Sequence, residues 1–387
     1  MIAPNRRCLL ATLTAAILAP QTVAAQDRRA VRIPIRINDG RVLVQTMLDG
    51  QGPFDFVIDT GAEVSGLSTA AVARLRLRPS RSMRVAGRAA DMFVVGEVTL
   101  GGAVSQSDVI FFGIEGRSLG GDGLLAAGAI TGFDSDLLLQ EGSWVIYPHG
   151  RLDGSDGFSP IPSRLVASDV QGLSSRIAAA SRVNGHPFET VVDTGSPWPV
   201  ALDWGTAEAI GLLAPEVAFA PTLYTAVGRR FPTPGRLVRL NSLSMGHVDF
   251  AQLLALIRPE GAPAIGPVVG LPVIRTLDLA FDRAAERLSV RRSGARVDDP
   301  PYRGSGLWLG ERRGAVVIGA VGVGSPAARA GVQVGDVVLG HVSLQEALSA
   351  IHRAPGEEIS LSIDRRGRRH DYRMTVAAYL KDANELQ

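Results

Sequence analysis

The sequence predicts a mainly β protein made of two similar lobes and a smaller third domain. It has 387 residues with 44 glycines, and its short apolar runs favour strands joined by tight turns over long helices. The triplet Asp-Thr-Gly occurs at residues 59–61 and again at residues 193–195. The segment after residue 304 follows a different pattern, one of strands around a short helix. We therefore expect lobes at residues 31–148 and 164–292 and an α+β domain at 304–378. Linkers are expected at 149–163 and 293–303, and a tail at 379–387.

The first triplet ends a predicted strand. Phe54, Phe56 and Ile58 alternate with other residues, the pattern of a strand with one buried face. Asp59 follows where the strand gives way to a turn, and Gly61 suits that turn because it lacks a Cβ. A single Asp-Thr-Gly is weak evidence for a functional site, since three small residues after a strand often form an ordinary turn.

The second triplet belongs to a longer repeat. Each copy has an alanine-rich segment of helical character, at residues 68–77 and 203–213. Each then has a glycine next to an arginine, Gly87 and Gly228, which predicts a hairpin tip. Each closes with an apolar run that leads to an aspartate, at residues 124–134 and 268–278. The chain thus contains two copies of one lobe.

Residues 31–292 resemble the aspartic proteases of the retropepsin and pepsin type. The resemblance rests on the two triplets, on Ala62 and Ser196, which follow them, and on the later apolar runs. The resemblance implies two small β-barrel-like lobes, each carrying one catalytic aspartate, Asp59 or Asp193. Their loops would meet at a pseudo-twofold axis. Retropepsins pair two identical chains, whereas pepsin-like enzymes fuse both lobes. This chain resembles the fused arrangement, so a monomer with intramolecular lobe pairing is expected.

The resemblance also assigns supporting roles in the two loops. Thr60 and Thr194 would cross-brace the loops, and Gly61 and Gly195 would let the backbone approach the carboxylates. A hydroxyl donated to a carboxylate favours its ionised form. Ser196 has a hydroxyl to donate, whereas the equivalent Ala62 has none, so we expect a dyad less acidic than that of pepsin. An activity optimum below about pH 4 would contradict this expectation.

The chemistry of amide hydrolysis explains why two carboxyls are needed. One group must take a proton from water while another polarises the carbonyl and protonates the leaving nitrogen. Two carboxyls about 3 Å apart share one proton and titrate as a unit. Asp59 and Asp193 would fill these roles jointly on a peptide or protein substrate.

Three further residues have two interpretations each. Gly87 and Gly228 are candidate flap tips or ordinary hairpin turns, and only one flap is expected to close over substrate. Trp198, between Pro197 and Pro199, would either line a substrate subsite or pack under the turn.

The N-terminus has the three regions of a secretory signal. Arg6 and Arg7 precede an apolar run at residues 8–19 and a small-residue cleavage site before Gln26. The run is shorter than the ~20 residues that span a bilayer, so we expect a cleaved signal and a periplasmic or secreted protein. Export by the general or the twin-arginine route stays open.

Composition excludes several classes of function. Cys8 is the only cysteine, so the mature chain would have no disulfide and no thiol chemistry. Without Arg6 and Arg7, 38 basic residues balance 38 acidic ones, and no basic run is interleaved with aromatics, which argues against a nucleic acid partner. The six histidines have no metal-ligand spacing. No metal or other cofactor is expected, and no transmembrane segment after signal removal.

Residues 324–338 resemble the central stretch of a PDZ domain of the bacterial, protease-associated type. PDZ domains add an extended peptide to a sheet edge and capture its C-terminal carboxylate with backbone amides. The candidate carboxylate loop comprises Ser305, Gly306, Leu307 and Trp308. The chain departs from the PDZ pattern at residues 339–341, which pass almost directly into a predicted helix at 344–351. A C-terminal peptide ligand is therefore one of two open outcomes.

Three alternatives were weighed against an aspartic endopeptidase. A periplasmic serine protease with a PDZ module would need a glycine-framed serine nucleophile, and the sequence has none. A non-catalytic peptide-binding scaffold is favoured by Ala126, where the second lobe has Gly270, and by the prolines near Asp193. Retention of both triplets argues against a scaffold. A homodimer pairing like lobes is unnecessary in a chain that carries both.

Overall fold

The computed structural model describes residues 30–85, 88–114, 120–151, 157–168, 173–226, 229–230, 233–263 and 265–380. The predicted signal at residues 1–25 and the candidate flap tips Gly87 and Gly228 lie outside the described residues. Strands predominate strongly over helices, and the strands are arranged in two lobes and a third domain. The predicted mainly β fold with two β-rich lobes is confirmed.

The first lobe consists of ten strands and two short helices. They are β1 (Val31–Asn38), β2 (Arg41–Leu48), β3 (Gln51–Ile58), β4 (Ser65–Ser68), α1 (Thr69–Leu75), β5 (Arg81–Val85), β6 (Arg88–Leu100), β7 (Val104–Ile114), β8 (Gly123–Leu125), α2 (Gly128–Thr131), β9 (Asp134–Leu138) and β10 (Ser143–Tyr147). Ser68 caps α1 by accepting a hydrogen bond from the N–H of Ala71.

The second lobe repeats this order with more, shorter strands. They are β11 (Ser159–Pro160), β12 (Ser163–Val166), β13 (Arg176–Val183), β14 (His186–Asp193), β15 (Val200–Leu202), α3 (Trp204–Ala209), β16 (Ala220–Thr222), β17 (Thr225–Ala226), β18 (Arg229–Arg230), β19 (Gly235–Arg239), β20 (Ser242–Met245), β21 (Val248–Ala251), β22 (Leu254–Ile257), β23 (Val268–Gly270), α4 (Leu271–Ile274), β24 (Leu277–Asp282) and β25 (Arg287–Arg292). The strand β11 falls inside the predicted linker 149–163 and pairs with β25.

Matching strand pairs show that the two lobes have the same topology. In the first, β3 lies between antiparallel β2 and parallel β8, and β8 pairs in turn with β4. In the second, β14 lies between β13 and β23, and β23 pairs with β15. The strands that carry the triplets are therefore central strands of their sheets. This is why Phe54, Phe56 and Ile58 are fully buried and why Val57, on the opposite face, is buried as well.

A shared sheet joins the two lobes. The order β11-β25-β24-β9-β10-β1 contains strands of both, and β9 pairs antiparallel with β24, with Leu137 opposite Leu279. Buried residues of both lobes form one apolar core that includes Trp144, Phe281 and Ile58. The two lobes of one chain thus pair with each other through backbone hydrogen bonds and a continuous core.

The third domain has its own sheet and core. It comprises β26 (Leu307–Arg312), β27 (Ala315–Val321), α5 (Pro326–Ala330), β28 (Val337–Val338), α6 (Leu344–Ile351), β29 (Glu358–Arg365) and β30 (Arg368–Thr375), in the sheet order β26-β27-β28-β29-β30. The helix α6 has the bounds predicted from sequence. The strand β26 lies at one edge of the sheet, and α6 packs beside it.

The start of the predicted tail at residues 379–387 packs against the second lobe. The hydroxyl of Tyr379 donates to the carbonyl of Phe219 at 2.9 Å, and the Leu380 side chain is 3% exposed in a cluster with Ala220 and Leu237. The guanidinium of Arg239 donates to the Leu380 carbonyl at 2.6 Å. These two residues therefore fasten the third domain to the second lobe.

Candidate active site

Both predicted catalytic aspartates lie at the ends of the central strands. Asp59 directly follows β3, and its N–H donates to the carbonyl of Leu125 in β8 at 2.9 Å. Asp193 ends β14 opposite Gly270 of β23. In each lobe the chain turns sharply after the aspartate. The turn from each lobe meets the other at the junction between the lobes.

A symmetric hydrogen-bond network locks the two turns together. The hydroxyl of Thr60 donates to the carbonyl of Val192 at 2.7 Å, and that of Thr194 donates to the carbonyl of Ile58 at 2.6 Å. Each hydroxyl also accepts from the other threonine's N–H, at 3.0 and 3.1 Å. Both side chains are buried. Because four bonds cross the lobe boundary in a dry environment, small movements of one turn carry the other with it.

The two glycines allow the carboxyls to approach the opposite turn. A Cβ placed on Gly61 would lie 2.5 Å from both carboxylate oxygens of Asp193, and one placed on Gly195 would lie 2.6 Å from both oxygens of Asp59. Each glycine N–H also donates to the aspartate of its own lobe, at 3.1 Å for Gly61 and 2.8 Å for Gly195. Each carboxyl is thus held by its own turn and packed against the backbone of the other.

The electrostatics are those of two carboxyls sharing a proton. Burial raises the pKa of Asp59 well above its usual value, and the neighbouring Asp193 charge and hydrogen bond raise that pKa further. Burial also raises the pKa of Asp193, while N–H groups of Gly195, Ser196 and Gly61 oppose the shift. Both residues keep some accessible surface. The pair therefore holds a proton in milder acid than an isolated aspartate would, with one acid and one base side by side.

The residues after the two triplets contribute through their backbones. The N–H of Ala62 favours the ionised form of Asp59, as that of Ser196 does for Asp193. Within the described residues the Ser196 hydroxyl makes no hydrogen bond to Asp193. The hydroxyl oxygen lies next to Gly270 instead, 2.8 Å from where a Cβ would be at that residue. Burial therefore raises the pKa of both aspartates, and the neighbouring Asp193 adds to the shift at Asp59 only. The difference between alanine and serine is not among the causes.

Trp198 packs against two apolar clusters of the second lobe. It is half-buried between a cluster containing Val191 and Leu256 and another containing Leu237. Its carbonyl approaches Gly270 so closely that a Cβ there would overlap with it. This contact explains why the second lobe has glycine at that position. In the first lobe, Ala126 fits, with its N–H donating to the Ser65 hydroxyl at 3.0 Å.

The two candidate flap hairpins differ in length. The strands β5 and β6, which flank Gly87, pair over five residue pairs from Arg81 to Val85. The strands β17 and β18, which flank Gly228, pair over two. The glycines themselves lie outside the described residues.

A second link between the lobes, at Glu63, is not predicted from the sequence. Its carboxylate accepts from Arg176 at 2.9 Å and from the Ser168 hydroxyl at 2.8 Å, and its carbonyl accepts from the N–H of Ser174 at 2.8 Å. Leu173 and Ala62 both pack against the same apolar first-lobe cluster. Residues 173 and 174 therefore lie against the Asp59 turn. An acidic residue four positions after the first aspartate is the only signal of this link in the sequence.

The candidate carboxylate loop of the third domain is largely sealed. Ser305 and Leu307 are buried, and Trp308 is half-buried. The N–H of Gly306 donates to the Arg303 carbonyl at 3.1 Å, and that of Leu307 to the Ser305 hydroxyl at 3.3 Å. A bound carboxylate would have to compete with these two bonds.

No metal site or membrane span emerges from the part of the chain that the structure describes. Within it, no three His, Cys, Asp or Glu side chains come together in a way that could hold a metal ion. None of the helices described is long and apolar enough to cross a membrane.

Comparison with protein families gives a match in each lobe. The aspartyl protease family model matches residues 44–127 and 179–273, and no curated protein matches the chain significantly. The first matched region contains Asp59 and the second contains Asp193. Both lobes are therefore similar in sequence to aspartyl proteases, with one match for each Asp-Thr-Gly turn.

Proposed function

We propose that this chain is an aspartic endopeptidase whose single active site is formed by Asp59 and Asp193. The observation that carries the proposal is the reciprocal packing of the two carboxyls against Gly195 and Gly61. Such packing fixes two titratable groups with raised pKa values at one point between the lobes. This is the arrangement needed to activate a water and then to protonate a leaving amine at one site.

Each supporting residue has a place in this reaction. Thr60 and Thr194 hold the two turns in register, so that the carboxyls stay aligned on one water. One carboxylate takes a proton from that water as it attacks the peptide carbonyl. The carboxylic acid donates its proton to the carbonyl oxygen, which gives a gem-diol intermediate. As the C–N bond breaks, the carboxyl that took the proton from water passes it to the leaving nitrogen, and a hydroxyl of the intermediate returns a proton to the other carboxylate. These steps use only the chain's own carboxyls.

We assign the flap to the hairpin of β5 and β6. Its longer pairing allows it to project as a unit, and Met83 of β5 lies beside the first-lobe cluster that flanks the Asp59 turn. The shorter β17–β18 pairing, of two residue pairs, then has no role as a flap. This agrees with the expectation that only one flap closes over a substrate.

The rival hypothesis is a peptide-binding scaffold without activity. Its main support is Ala126, and the structure gives the difference between the lobes an ordinary explanation. The Trp198 carbonyl leaves no room for a Cβ at Gly270, whereas Ala126 is buried with its N–H bonded to the Ser65 hydroxyl. A scaffold also has no need for two carboxyls buried together, because burying them is unfavourable. The endopeptidase therefore accounts better for the site.

The wider biology of the protein is also a proposal. The signal-like sequence at residues 1–25 supports export to the periplasm or beyond, with no cofactor required. The third domain resembles a PDZ module, and its edge strand β26 beside α6 is a suitable place for an extended peptide to add. We propose that it engages a substrate or partner along this edge, since the N–H groups of the carboxylate loop are already bonded.

The proposal is tested by comparing the mature protein with Asp193→Asn on casein, an unstructured substrate, between about pH 3 and about pH 8. We expect the wild type to cleave and the variant to lose at least about a thousandfold in rate. Equal cleavage by both would move the chemistry away from Asp193. Peptide binding without cleavage by either protein would establish the scaffold.

A further inference from the structure

One buried cation lies beside the proposed dyad and has no role in the chemistry described so far. Arg258 directly follows β22 in the second lobe, and its N–H donates to the carbonyl of Leu202 at 2.9 Å. The side chain is 3% exposed. Arginine is rarely buried to this degree unless it is paired with an acid.

The equivalent position in the first lobe can be identified from the strand pairing of the two lobes. Leu256 of β22 and Phe112 of β7 are equivalent. Each lies opposite the residue, Ala201 or Gly66, that also pairs with Val268 or Leu124. Val268 and Leu124 pair in turn with Val191 and Val57, each two residues before its aspartate. Two residues further along, the second lobe has Arg258 where the first has Ile114. Ile114 is 7% exposed in an all-apolar cluster with Val57. The first lobe is therefore apolar at this position, whereas the second lobe carries a buried guanidinium.

The equivalent second-lobe cluster flanks the dyad. It contains Val191, Leu256 and Val268, with Trp198 and Tyr224 packed against it. Val191 precedes Asp193 by two residues on the same strand, so the two side chains point to the same face. Arg258 is close enough to Asp193 and Tyr224 to interact electrostatically with both.

The guanidinium has unused hydrogen-bonding capacity. It has five N–H donors, and one nitrogen donates to the Gly266 carbonyl at 2.9 Å. Among the described residues no carboxylate forms an ion pair with it. Burial lowers the pKa of Arg258, and the charges of Asp203 and Asp193 only partly oppose this. A buried guanidinium without a paired carboxylate is unfavourable until a ligand supplies one.

We propose that Arg258 selects substrates with an aspartate or glutamate side chain next to the scissile bond, on the second-lobe side of the cleft. This inference rests on the proposed peptidase function. A substrate carboxylate would complete a charge-assisted pair with the guanidinium. An amide or apolar side chain would leave the buried charge unpaired. The apolar cluster around Ile114 would accept an apolar side chain on the other side of the scissile bond.

The test uses a mixture of randomised peptides, with cleavage sites read by mass spectrometry. Wild type is compared with Arg258→Ile, which installs the residue of the other lobe, and with Arg258→Lys, which keeps the charge. Arg236→Met is the matched control. Arg236 is a partly buried arginine of the same lobe, and its guanidinium stacks on Phe219 at 4.6 Å. Thermal unfolding of each variant reports whether it folds.

We expect wild type to enrich Asp and Glu at one position flanking the cleaved bond by at least about tenfold over Asn and Gln. Arg258→Ile should abolish this enrichment, Arg258→Lys should keep part of it, and Arg236→Met should leave it intact. The enrichment should also fade below about pH 4, where substrate carboxyls become neutral. Cleavage by wild type without acidic enrichment would overturn the inference and leave the proposed function standing. A uniform loss on all peptides in Arg258→Ile would overturn it too, since the charge would then act on the dyad.

A binding experiment separates this inference from the proposed function. Peptides retained from the same mixture by immobilised protein are sequenced for wild type and Arg258→Ile. If wild type cleaves nothing, the proposed function fails, yet acidic enrichment among retained peptides that Arg258→Ile loses would still support the role of Arg258. Equal retention of acidic and amide peptides would overturn it.

Discussion

Replacing Gly61 with alanine should disable the site with little effect on the rest of the fold. The added Cβ would lie 2.5 Å from both carboxylate oxygens of Asp193, whereas real Cβ contacts are essentially never under 3.0 Å. The carboxyl carbon of Asp193 would lie closer still. The turn or the carboxyl must therefore shift by at least about 0.7 Å, and by about 1.1 Å to reach ordinary contact at 3.4 Å. A misplacement of about 1 Å at a reacting group costs on the order of a hundredfold in rate.

The assay is the initial rate of casein cleavage at the optimum pH of the wild type, together with thermal unfolding. We expect Gly61→Ala to lose about a hundredfold in rate, with overpacking lowering stability by about 1–3 kcal/mol. Gly205→Ala is the control, because a Cβ at the exposed Gly205 would meet only a carboxylate oxygen of Asp203, at 3.6 Å, which is ordinary contact, and it should match wild type in rate. A Gly61→Ala rate within about threefold of wild type would refute the close packing of Asp193 against this turn.

Three further predictions follow from the same contacts. Thr60→Val removes the hydrogen bonds that cross to Val192 and Thr194 and should lower the free energy of unfolding, measured in urea, by about 2 kcal/mol. Thr60→Ser keeps the hydroxyl and should retain most of that stability. Equal losses in the two variants would contradict the bonding role. Because the pKa of Asp59 is raised, the stability linked to its protonation is present in acid and lost as pH rises through that pKa. Asp59→Asn should therefore raise the unfolding temperature more at pH 7 than at pH 4, and a pH-independent difference would contradict the raised pKa. Glu63→Ala breaks the partly buried ion pair with Arg176 and should lower the free energy of unfolding by about 1 kcal/mol. The comparison variant is Arg176→Lys, which keeps the charge. An unchanged unfolding midpoint in Glu63→Ala would show that this contact does not couple the lobes.

The local features of the lobes could be predicted from the sequence because they depend on short-range patterns. Alternation around Phe54 and Phe56 predicts the strand, and the repetition of Asp-Thr-Gly predicts two equivalent turns. The helix at residues 344–351 is amphipathic and capped by Ser343, which makes its bounds visible in the sequence. The cross-bracing by Thr60 and Thr194 came from family resemblance and not from the pattern itself.

What could not be predicted depends on pairing between distant segments. The registry of β9 against β24, which joins the lobes, leaves no local signal, since any two apolar strands could pair. Tyr379 and Leu380 lie after the last predicted strand and pack on a surface formed some 140 residues earlier. Arg258 follows an apolar run and looks like the exposed end of a strand. Only alignment of the two lobes with their strand registers shows that it replaces Ile114.

The central claim is that Asp59 and Asp193 of one chain form one site. It is tested most directly by the casein cleavage rates of Asp59→Asn and Asp193→Asn, measured separately and as an equimolar mixture. A composite site predicts that each variant loses at least about a thousandfold and that the mixture recovers nothing. If like lobes paired between two chains, each variant would keep one intact site, so about half of the wild-type rate in either variant alone would contradict the account.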